Sequence, residues 1–220
     1  MIRLIAFATM LVSICSAVAA AEPLAYGSQL TFAAYRNGQP IGSHRLSFDK
    51  DGDRLVVTTS IELAVKVVGI TAYRYTYRGR EIWLGKELVS FDSSTDDDGK
   101  PYAVRASRDN GQLRVERTTP GTAGQARESL PADLLPSTHW NVRQASQGFL
   151  LNAQKGTRER ITVAAGGREN VRTLSGVIAA TRYRYDGDVR MDQWFDDRGR
   201  WVRSRFVVFD GSTIDYVLQE

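Results

Sequence analysis

Cysteine is nearly absent from this 220-residue chain, whose one cysteine, Cys15, lies in an apolar N-terminal run. If that run is removed as a leader, no disulfide can crosslink the remaining chain and no thiol can act as a nucleophile. Histidine is equally scarce, since only His44 and His139 occur and they are far apart in the sequence. Because transition-metal sites rest mainly on cysteine and histidine ligands, we predict no metal site and no cofactor.

The chain also lacks a block of charge of one sign. It contains 29 Lys plus Arg against 25 Asp plus Glu, which gives a net charge of +4, and loss of Arg3 with a leader lowers this by one. The arginines alternate with aromatic residues instead of forming the basic patch that nucleic acids require. We therefore predict no nucleic-acid partner.

The first residues have the order of a secretory signal peptide. Arg3 precedes an apolar run at residues 4–14, and alanines follow between 17 and 21. The run is shorter than the roughly 20 residues of a spanning helix, and no later stretch replaces it. We predict that residues 1–20 are cleaved and that residues 21–220 form one periplasmic β-rich domain without a transmembrane segment.

Apolar and polar side chains alternate along several stretches, which predicts strands. Between Leu55 and Val67 the apolar residues lie mostly at odd positions, and period two is typical of a strand with one buried face. The same alternation occurs in "TAYRYTYRGR" at residues 71–80 and in "TRYRYDG" at residues 181–187. In both, tyrosines share one face and arginines the other.

Glycine pairs divide the chain into pieces of strand length. They are Asn37-Gly38, Asp51-Gly52, Arg78-Gly79, Asp98-Gly99, Asn110-Gly111, Gly166-Gly167, Asp186-Gly187, Arg198-Gly199 and Asp210-Gly211. Asn-Gly and Asp-Gly supply the positive φ angles of tight hairpins. The spacing predicts a mainly β fold of roughly ten strands, either a strongly curved antiparallel sheet or a half-open β-barrel.

One long break interrupts this pattern, at residues 118–148, and it is rich in Pro, Gly, Ala and Ser. A break of this length in a compact β domain indicates a crossing loop or a lid. We expect a short helical turn within residues 130–141. Residues 130–147, named the plug segment from here on, are expected to close the mouth of the sheet.

The order of motifs resembles the DUF6134 family of exported bacterial proteins of undefined function. The residues that carry this resemblance are "YRNGQPIGSHRLSF" (35–48), "LLPSTHWN" (134–141), "LLNAQKG" (150–156) and "YRYDGDVRMDQWFDDRGRWVRSRFVVFDGSTIDYVL" (183–218). The closing pattern is also similar to the DUF3108 family and, through it, to LolA/LolB-like periplasmic half-barrels. That likeness implies a curved sheet around a helical or loop plug, with lipidated cargo in the concave face.

The "STHW" sequence at residues 137–140 permits two interpretations. In a hydrolase, His139 would act as general base for a serine and be oriented by an acid such as Asp133. However, Ser137 is only two residues away on a Pro-rich segment, and the chain has no G-x-S-x-G elbow. We therefore favour a structural role, in which Leu134, Leu135 and Trp140 bury as a plug, and we assign no catalytic residue.

The aromatic strands permit two interpretations as well, because their rings either fill a core or line a cavity for a flat or acyl ligand. The candidate ligand-binding residues are Tyr73, Tyr75, Tyr77, Trp140, Tyr183, Tyr185 and Trp194. The arginines and aspartates between residues 182 and 205 either pair across strands or recognise an anionic headgroup. The acidic clusters at residues 49–53 and 94–99 fit hairpin turns better than calcium loops, since neither has the distal Glu of a calcium loop.

Three functional hypotheses follow. The first is a non-catalytic periplasmic protein that binds a hydrophobic or amphipathic ligand, such as a lipid or a lipoprotein acyl chain. The second is a structural or assembly partner of another envelope protein. The third, which we favour least, is a hydrolase or isomerase that uses His139.

Overall fold

The computed structural model describes residues 27–219, so the predicted signal peptide lies outside the described residues. The first seven strands are β1 Gln29–Arg36, β2 Gln39–Asp51, β3 Arg54–Val67, β4 Ile70–Leu84, β5 Glu87–Asp97, β6 Lys100–Asp109 and β7 Gln112–Thr118. The remaining eight are β8 Ala126–Pro131, β9 Leu135–Pro136, β10 Phe149–Leu151, β11 Arg158–Arg172, β12 Val177–Gly187, β13 Met191–Asp196, β14 Trp201–Val207 and β15 Thr213–Leu218. A single 3₁₀ helix, Val142–Ser146, is the one helix among the described residues. None of these residues belongs to a helix long and apolar enough to cross a membrane.

All fifteen strands form one curved sheet in the order β8-β7-β6-β5-β4-β3-β2-β1-β15-β14-β13-β12-β11-β10-β9. Every neighbouring pair is antiparallel except β9 and β10, which are parallel. The first strand pairs with the last, and Phe32 lies opposite Leu218. The two edge strands, β8 and β9, are joined by residues 132–134 but are not paired, so the sheet curves without closing.

The mainly antiparallel curved sheet is confirmed, whereas the expected count of ten strands is wrong. Two of the five additional strands lie where the alternating pattern is weakest. Strand β9 is the dipeptide Leu135–Pro136, and β10 has only three residues. Neither is long enough to show a period of two, so no sequence pattern could reveal them.

Several predicted turns are confirmed by their backbone angles. Asn37 and Gly38 have φ of 48° and 79°, and Asn110 and Gly111 have 48° and 74°, as the tight hairpin turn requires. Gly79, in contrast, lies inside β4 and not in a turn. A Cβ there would lie 2.5 Å from the Tyr77 hydroxyl, so this glycine makes room for the Tyr77 ring.

The Gly166-Gly167 pair also lies within a strand, β11, where the pairing register with β12 shifts between Ala165 and Arg168. A glycine pair inside a strand is typical of a bulge, which bends the strand without ending it. The prediction of a turn at this pair was therefore wrong.

The main hydrophobic core lies on the concave side of the sheet. Its largest fully buried side chains include Trp83, Trp201, Phe32, Phe91 and Phe195. Neighbouring residues on a strand point to opposite faces, and the other face carries only a small cluster. This outer cluster consists of Val171, Ala180, Trp194 and Val202. The concave side therefore holds nearly all of the apolar burial that stabilises the sheet.

The plug segment lies against the concave side. Leu134, Leu135 and Trp140 are at most 5% exposed and belong to the main core. Part of the predicted break at residues 118–148 is strand, because it contains β8 and β9. The helical turn begins at Val142, just beyond the stretch in which it was expected. The side chain of Asn141 caps it by accepting a hydrogen bond from the Arg143 amide at 3.1 Å.

Candidate functional site

A cavity of about 830 Å³ opens into the concave side of the sheet. One wall is aliphatic and comes from β3, where Ile61, Leu63 and Val65 point inward from alternate positions. Phe206 from β14 and Ile214 from β15 add apolar lining from the other half of the sheet. The volume falls within the range of about 300–1,000 Å³ that is typical of pockets for small molecules.

Three tyrosines of β4 form a second wall of this cavity. Tyr73, Tyr75 and Tyr77 all line it, because odd positions of β4 face inward. The Tyr73 hydroxyl donates to Asp97 at 2.7 Å, and the Gln154 amide donates to the same carboxylate at 3.1 Å. Burial raises the pKa of each tyrosine, so all three hydroxyls stay protonated at neutral pH.

The two histidines, 95 positions apart in sequence, meet at the inner end of the cavity. The ring centroids of His44 and His139 lie 5.9 Å apart, and both side chains line the cavity. The Trp201 ring stacks on His139 at 5.2 Å and meets the edge of His44 at 5.1 Å. Strand β2 supplies His44 and the plug segment supplies His139, so the curvature of the sheet brings them together.

His139 is fixed by its neighbours in one orientation. Its φ is +71°, which is unusual for a residue with a side chain. The Gln193 amide nitrogen lies 3.0 Å from His139 Nδ1; because an amide nitrogen donates, Nδ1 accepts and the proton resides on Nε2. Burial lowers the pKa of His139 to about 4, so the ring is neutral at pH 7.

This arrangement does not resemble a hydrolase triad. Among the described residues, the side chain of His139 is bonded to Gln193, not to Ser137 or Asp133. The Ser137 hydroxyl instead accepts a hydrogen bond from the amide of Ala153 at 3.0 Å. A serine that is held by the backbone and has no contact with the histidine has no base to activate it.

His44 is fully buried, and neither of its ring nitrogens has a hydrogen-bond partner. The hydroxyl of Thr59 is likewise buried and without a partner. Both residues line the cavity, and the strand register makes them diagonal neighbours, since His44 lies opposite Ile61 and Leu46 opposite Thr59. Burial, followed by the neighbouring His139, lowers the pKa of His44 well below its usual value.

A buried carboxylate anchors the plug segment beside the cavity. Glu81 is 1% exposed, and it accepts hydrogen bonds from the indoles of Trp83 at 2.9 Å and Trp140 at 3.0 Å. The two indole rings meet edge to face at 5.7 Å. Burial raises the pKa of Glu81 to about 7, against hydrogen bonds from the indoles and other neighbours that favour the carboxylate.

The mouth of the cavity lies at the end of the sheet that carries the β1–β2, β3–β4, β5–β6 and β14–β15 turns. Val67 and Phe209 both line the cavity and are exposed to solvent. Val68 in the β3–β4 turn and Ile70 at the start of β4 are also exposed, Val68 almost completely at 96%. Arg36 and Asp210 form an ion pair at this end. The mouth therefore has an apolar surface interrupted by charges.

The candidate residues from the sequence divide into three groups. The first group, Tyr73, Tyr75 and Tyr77, lines the cavity. The second group, Trp140, Tyr183 and Tyr185, belongs to the core but not to the cavity wall. The third group is Trp194 alone.

Trp194 lies in the outer cluster, away from the cavity. Its indole donates to Glu169, and the guanidinium groups of Arg182 and Arg203 lie 5.5 and 5.8 Å from its ring. It thus packs beneath arginines on the face of the sheet opposite the cavity.

Four residues of the site were not anticipated from the sequence, namely His44, Thr59, Glu81 and Gln193. Alternation along the strand is the signal that would have revealed them, and Gln193 shares its position in that alternation with the buried Met191 and Phe195. His44 shares its face with Leu46 and Phe48, Thr59 with Val57 and Ile61, and Glu81 with Tyr77 and Trp83. A polar residue at an inward position of a strand is expected to be buried.

The acidic clusters are turns. Residues 49–53 and 94–99 span the β2–β3 and β5–β6 turns, and Asp96 accepts a hydrogen bond from the Gly99 amide at 2.6 Å. Across residues 27–219 no group of three or more potential ligands is placed to hold a metal ion.

The arginines and aspartates near the C-terminus form cross-strand ion pairs, among them Arg203–Asp215 and Arg182–Asp192.

The fold and the site define a class of protein in which a curved, open, mainly antiparallel sheet surrounds a mainly apolar cavity. The chain belongs to the family described as domain of unknown function DUF6134, whose sequence model matches residues 32–219.

Among solved structures, the chain is similar to a β-barrel-like protein of the domain of unknown function DUF1849 from Brucella abortus. The two share 13% sequence identity and a TM-score of 0.57, over 87% of this chain and 96% of that one. At this level of identity the likeness concerns the fold alone. A comparison with curated proteins gave no match.

Proposed function

We propose that this protein is a non-catalytic periplasmic binding protein for a hydrophobic or amphipathic ligand, such as a lipid or a lipoprotein acyl chain. In this proposal the curved sheet is a half-open barrel, and the plug segment covers the gap between its unpaired edge strands, β8 and β9. The observation that carries the proposal is the cavity of about 830 Å³ with an aliphatic wall on β3.

The shape of the cavity supports an elongated ligand. Val67 at the mouth and Thr59 at the inner end both line it and are eight positions apart on β3. With a rise of about 3.3 Å per residue, the cavity runs roughly 25 Å along the strand. An apolar chain inside it would remove its own surface and the aliphatic wall from water, which is the main driving force for such binding.

The exposed apolar residues at the mouth support the same ligand class. Isolated exposed apolar residues are ordinary, but here four of them lie in or next to two turns that border one opening, namely Val67, Val68, Ile70 and Phe209. A ligand that enters from another apolar environment would meet an apolar surface first. The same surface is where an envelope protein would dock under the alternative hypothesis of an assembly partner.

Titration with the neutral fluorescent dye N-phenyl-1-naphthylamine tests this function. We expect saturable binding of one dye per chain, which Ile61→Trp should abolish by filling the cavity. The matched control is Thr58→Trp, on the exposed face of the same strand, which should bind like the unaltered protein. Absence of saturable binding, or equal binding by both variants, would overturn the proposal and favour the assembly partner.

A further inference from the structure

The inner end of the cavity contains polar atoms that the protein itself does not satisfy. His44 presents two ring nitrogens without a partner, and Thr59 presents a hydroxyl without one. Both side chains are at most 1% exposed, and both line the cavity. A buried polar atom without a hydrogen bond destabilises a protein, so such atoms are rare and need an explanation.

The chemistry of these two residues selects an uncharged partner. A neutral imidazole offers one donor and one acceptor, and a threonine hydroxyl can donate or accept. The charged residues that line the cavity, Arg36, Asp97, Asp98, Lys100 and Asp210, all lie in or next to the turns at the mouth. Glu81 does not line the cavity and is bonded to two indoles. A charged group at the inner end would therefore have no counterion and would lose its hydration.

We propose that the ligand enters with an uncharged hydrogen-bonding group first, a hydroxyl or a carbonyl, which His44 and Thr59 hold at the inner end while its apolar chain extends toward the mouth. This inference rests on the proposed function and specifies its ligand as a neutral polar lipid. It predicts discrimination against both a pure hydrocarbon and an anionic amphiphile of the same length. The lowered pKa values of His44 and His139 agree with an uncharged pocket.

Competition against bound N-phenyl-1-naphthylamine at pH 8 tests the inference with three ligands of equal chain length, namely 1-decanol, decane and decanoate. The unaltered protein should bind decanol more tightly than the other two. Thr59→Val, which is nearly isosteric, should weaken decanol binding about 3- to 10-fold, the effect of one hydrogen bond, and leave decane binding unchanged. His44→Leu should act in the same way, and His44→Gln should retain part of the preference for decanol.

The matched control is Thr95→Val, because Thr95 is also buried but does not line the cavity. It should not change the preference for decanol. If the dye binds but decanol and decane compete equally, His44 and Thr59 do not bind the ligand's polar group and the inference is overturned. If decanoate competes best, the cavity takes an anionic headgroup and the inference is overturned as well. If neither dye nor ligand binds the unaltered protein, the proposed function itself fails.

Discussion

The indole Nε1 of Trp140 lies 3.0 Å from Oε1 of Glu81 and donates a hydrogen bond to it, which fastens the plug segment to β4 near the C-terminal end of that strand. The other carboxylate oxygen accepts from Trp83, so one buried acid joins two tryptophans. The contact is between residues 59 positions apart, and it connects the segment that crosses the open side with the wall that carries the cavity tyrosines.

Trp140→Ala should loosen the plug segment before it disrupts the sheet. The change removes a buried ring that also contacts Phe48 at 5.5 Å, and such truncations cost about 3 to 5 kcal/mol. We expect faster trypsin cleavage at Arg143 and a lower midpoint in urea, while the β signal in circular dichroism survives.

The matched control for this variant is Trp194→Ala. Trp194 is as buried as Trp140 but belongs to the outer cluster, so its removal should destabilise the sheet without selective cleavage at Arg143. Unchanged cleavage and an unchanged midpoint for Trp140→Ala would show that the segment is not held by this ring.

The pKa of Glu81, near 7 in the folded protein, should make stability depend on pH. In the unfolded chain the same carboxyl has an ordinary pKa near 4.5, so unfolding between these values releases a proton. The stabilising contribution of Glu81 is therefore complete below pH 4.5 and declines as the pH rises through 7. Between pH 5 and pH 8 the loss is about 2 to 3 kcal/mol.

Urea unfolding of the unaltered protein and Glu81→Gln at pH 5, 6, 7 and 8 isolates this contribution. The buried histidines have lowered pKa values and act in the opposite direction below pH 6.5, but they are present in both proteins and cancel in the difference. The free energy of unfolding of the unaltered protein should fall relative to the variant as the pH rises. A difference that stays constant across this range would mean that Glu81 is ionised in the folded state.

Neither histidine should titrate near the ordinary histidine pKa of 6.5. Since the chain has only His44 and His139, two-bond proton–nitrogen NMR correlations resolve both rings without variants. We expect both to stay neutral from pH 8 down to pH 5.5, with the His139 proton on Nε2, because burial holds the pKa of His139 at about 4. A midpoint between pH 6 and 7 for either ring would show that it is open to solvent.

The exposed residues at the mouth should affect ligand entry but not stability. We expect Val68→Ser combined with Phe209→Ser to change the free energy of unfolding by no more than about 0.5 kcal/mol, as is usual for exposed positions. Transfer of the naphthylamine dye from phosphatidylethanolamine–phosphatidylglycerol vesicles should slow several-fold in stopped-flow fluorescence.

The control for the mouth is Leu174→Ser combined with Val177→Ser. These residues are also exposed and apolar, but they border the β11–β12 turn at the opposite end of the sheet. This variant should transfer dye at the unaltered rate. Equal rates for both variants would mean that the apolar turns take no part in entry.

The sequence predicts the parts of the fold that depend on local chemistry. Asn37-Gly38 and Asn110-Gly111 identify hairpins because a tight turn needs positive φ, and the alternation along β3 identifies its buried face. Arg78-Gly79 has the composition of a turn but lies inside β4, where Gly79 makes room for the Tyr77 ring. This contact exists only in the folded strand, so the sequence does not reveal it.

The site itself depends on contacts between distant residues. His44 and His139 meet only because the curved sheet brings β2 beneath the plug segment. Local pattern contains no information on that approach, so the two histidines appear unrelated in the sequence. The sequence predicts that the three β4 tyrosines share one inward face. It does not predict that they line a cavity whereas Tyr183 and Tyr185 pack into the core, because that difference depends on the path of the whole sheet.

Methyl NMR of the protein during titration with 1-decanol tests the central claim most directly, because it locates the ligand. We predict saturable chemical-shift changes for the methyl groups of Ile61, Leu63 and Val65 in the cavity wall, with one ligand per chain. The methyl groups of Val171 and Val202 in the outer cluster should not move. Shifts confined to the outer cluster, or no shifts at saturating decanol, would contradict a ligand-binding cavity in this protein.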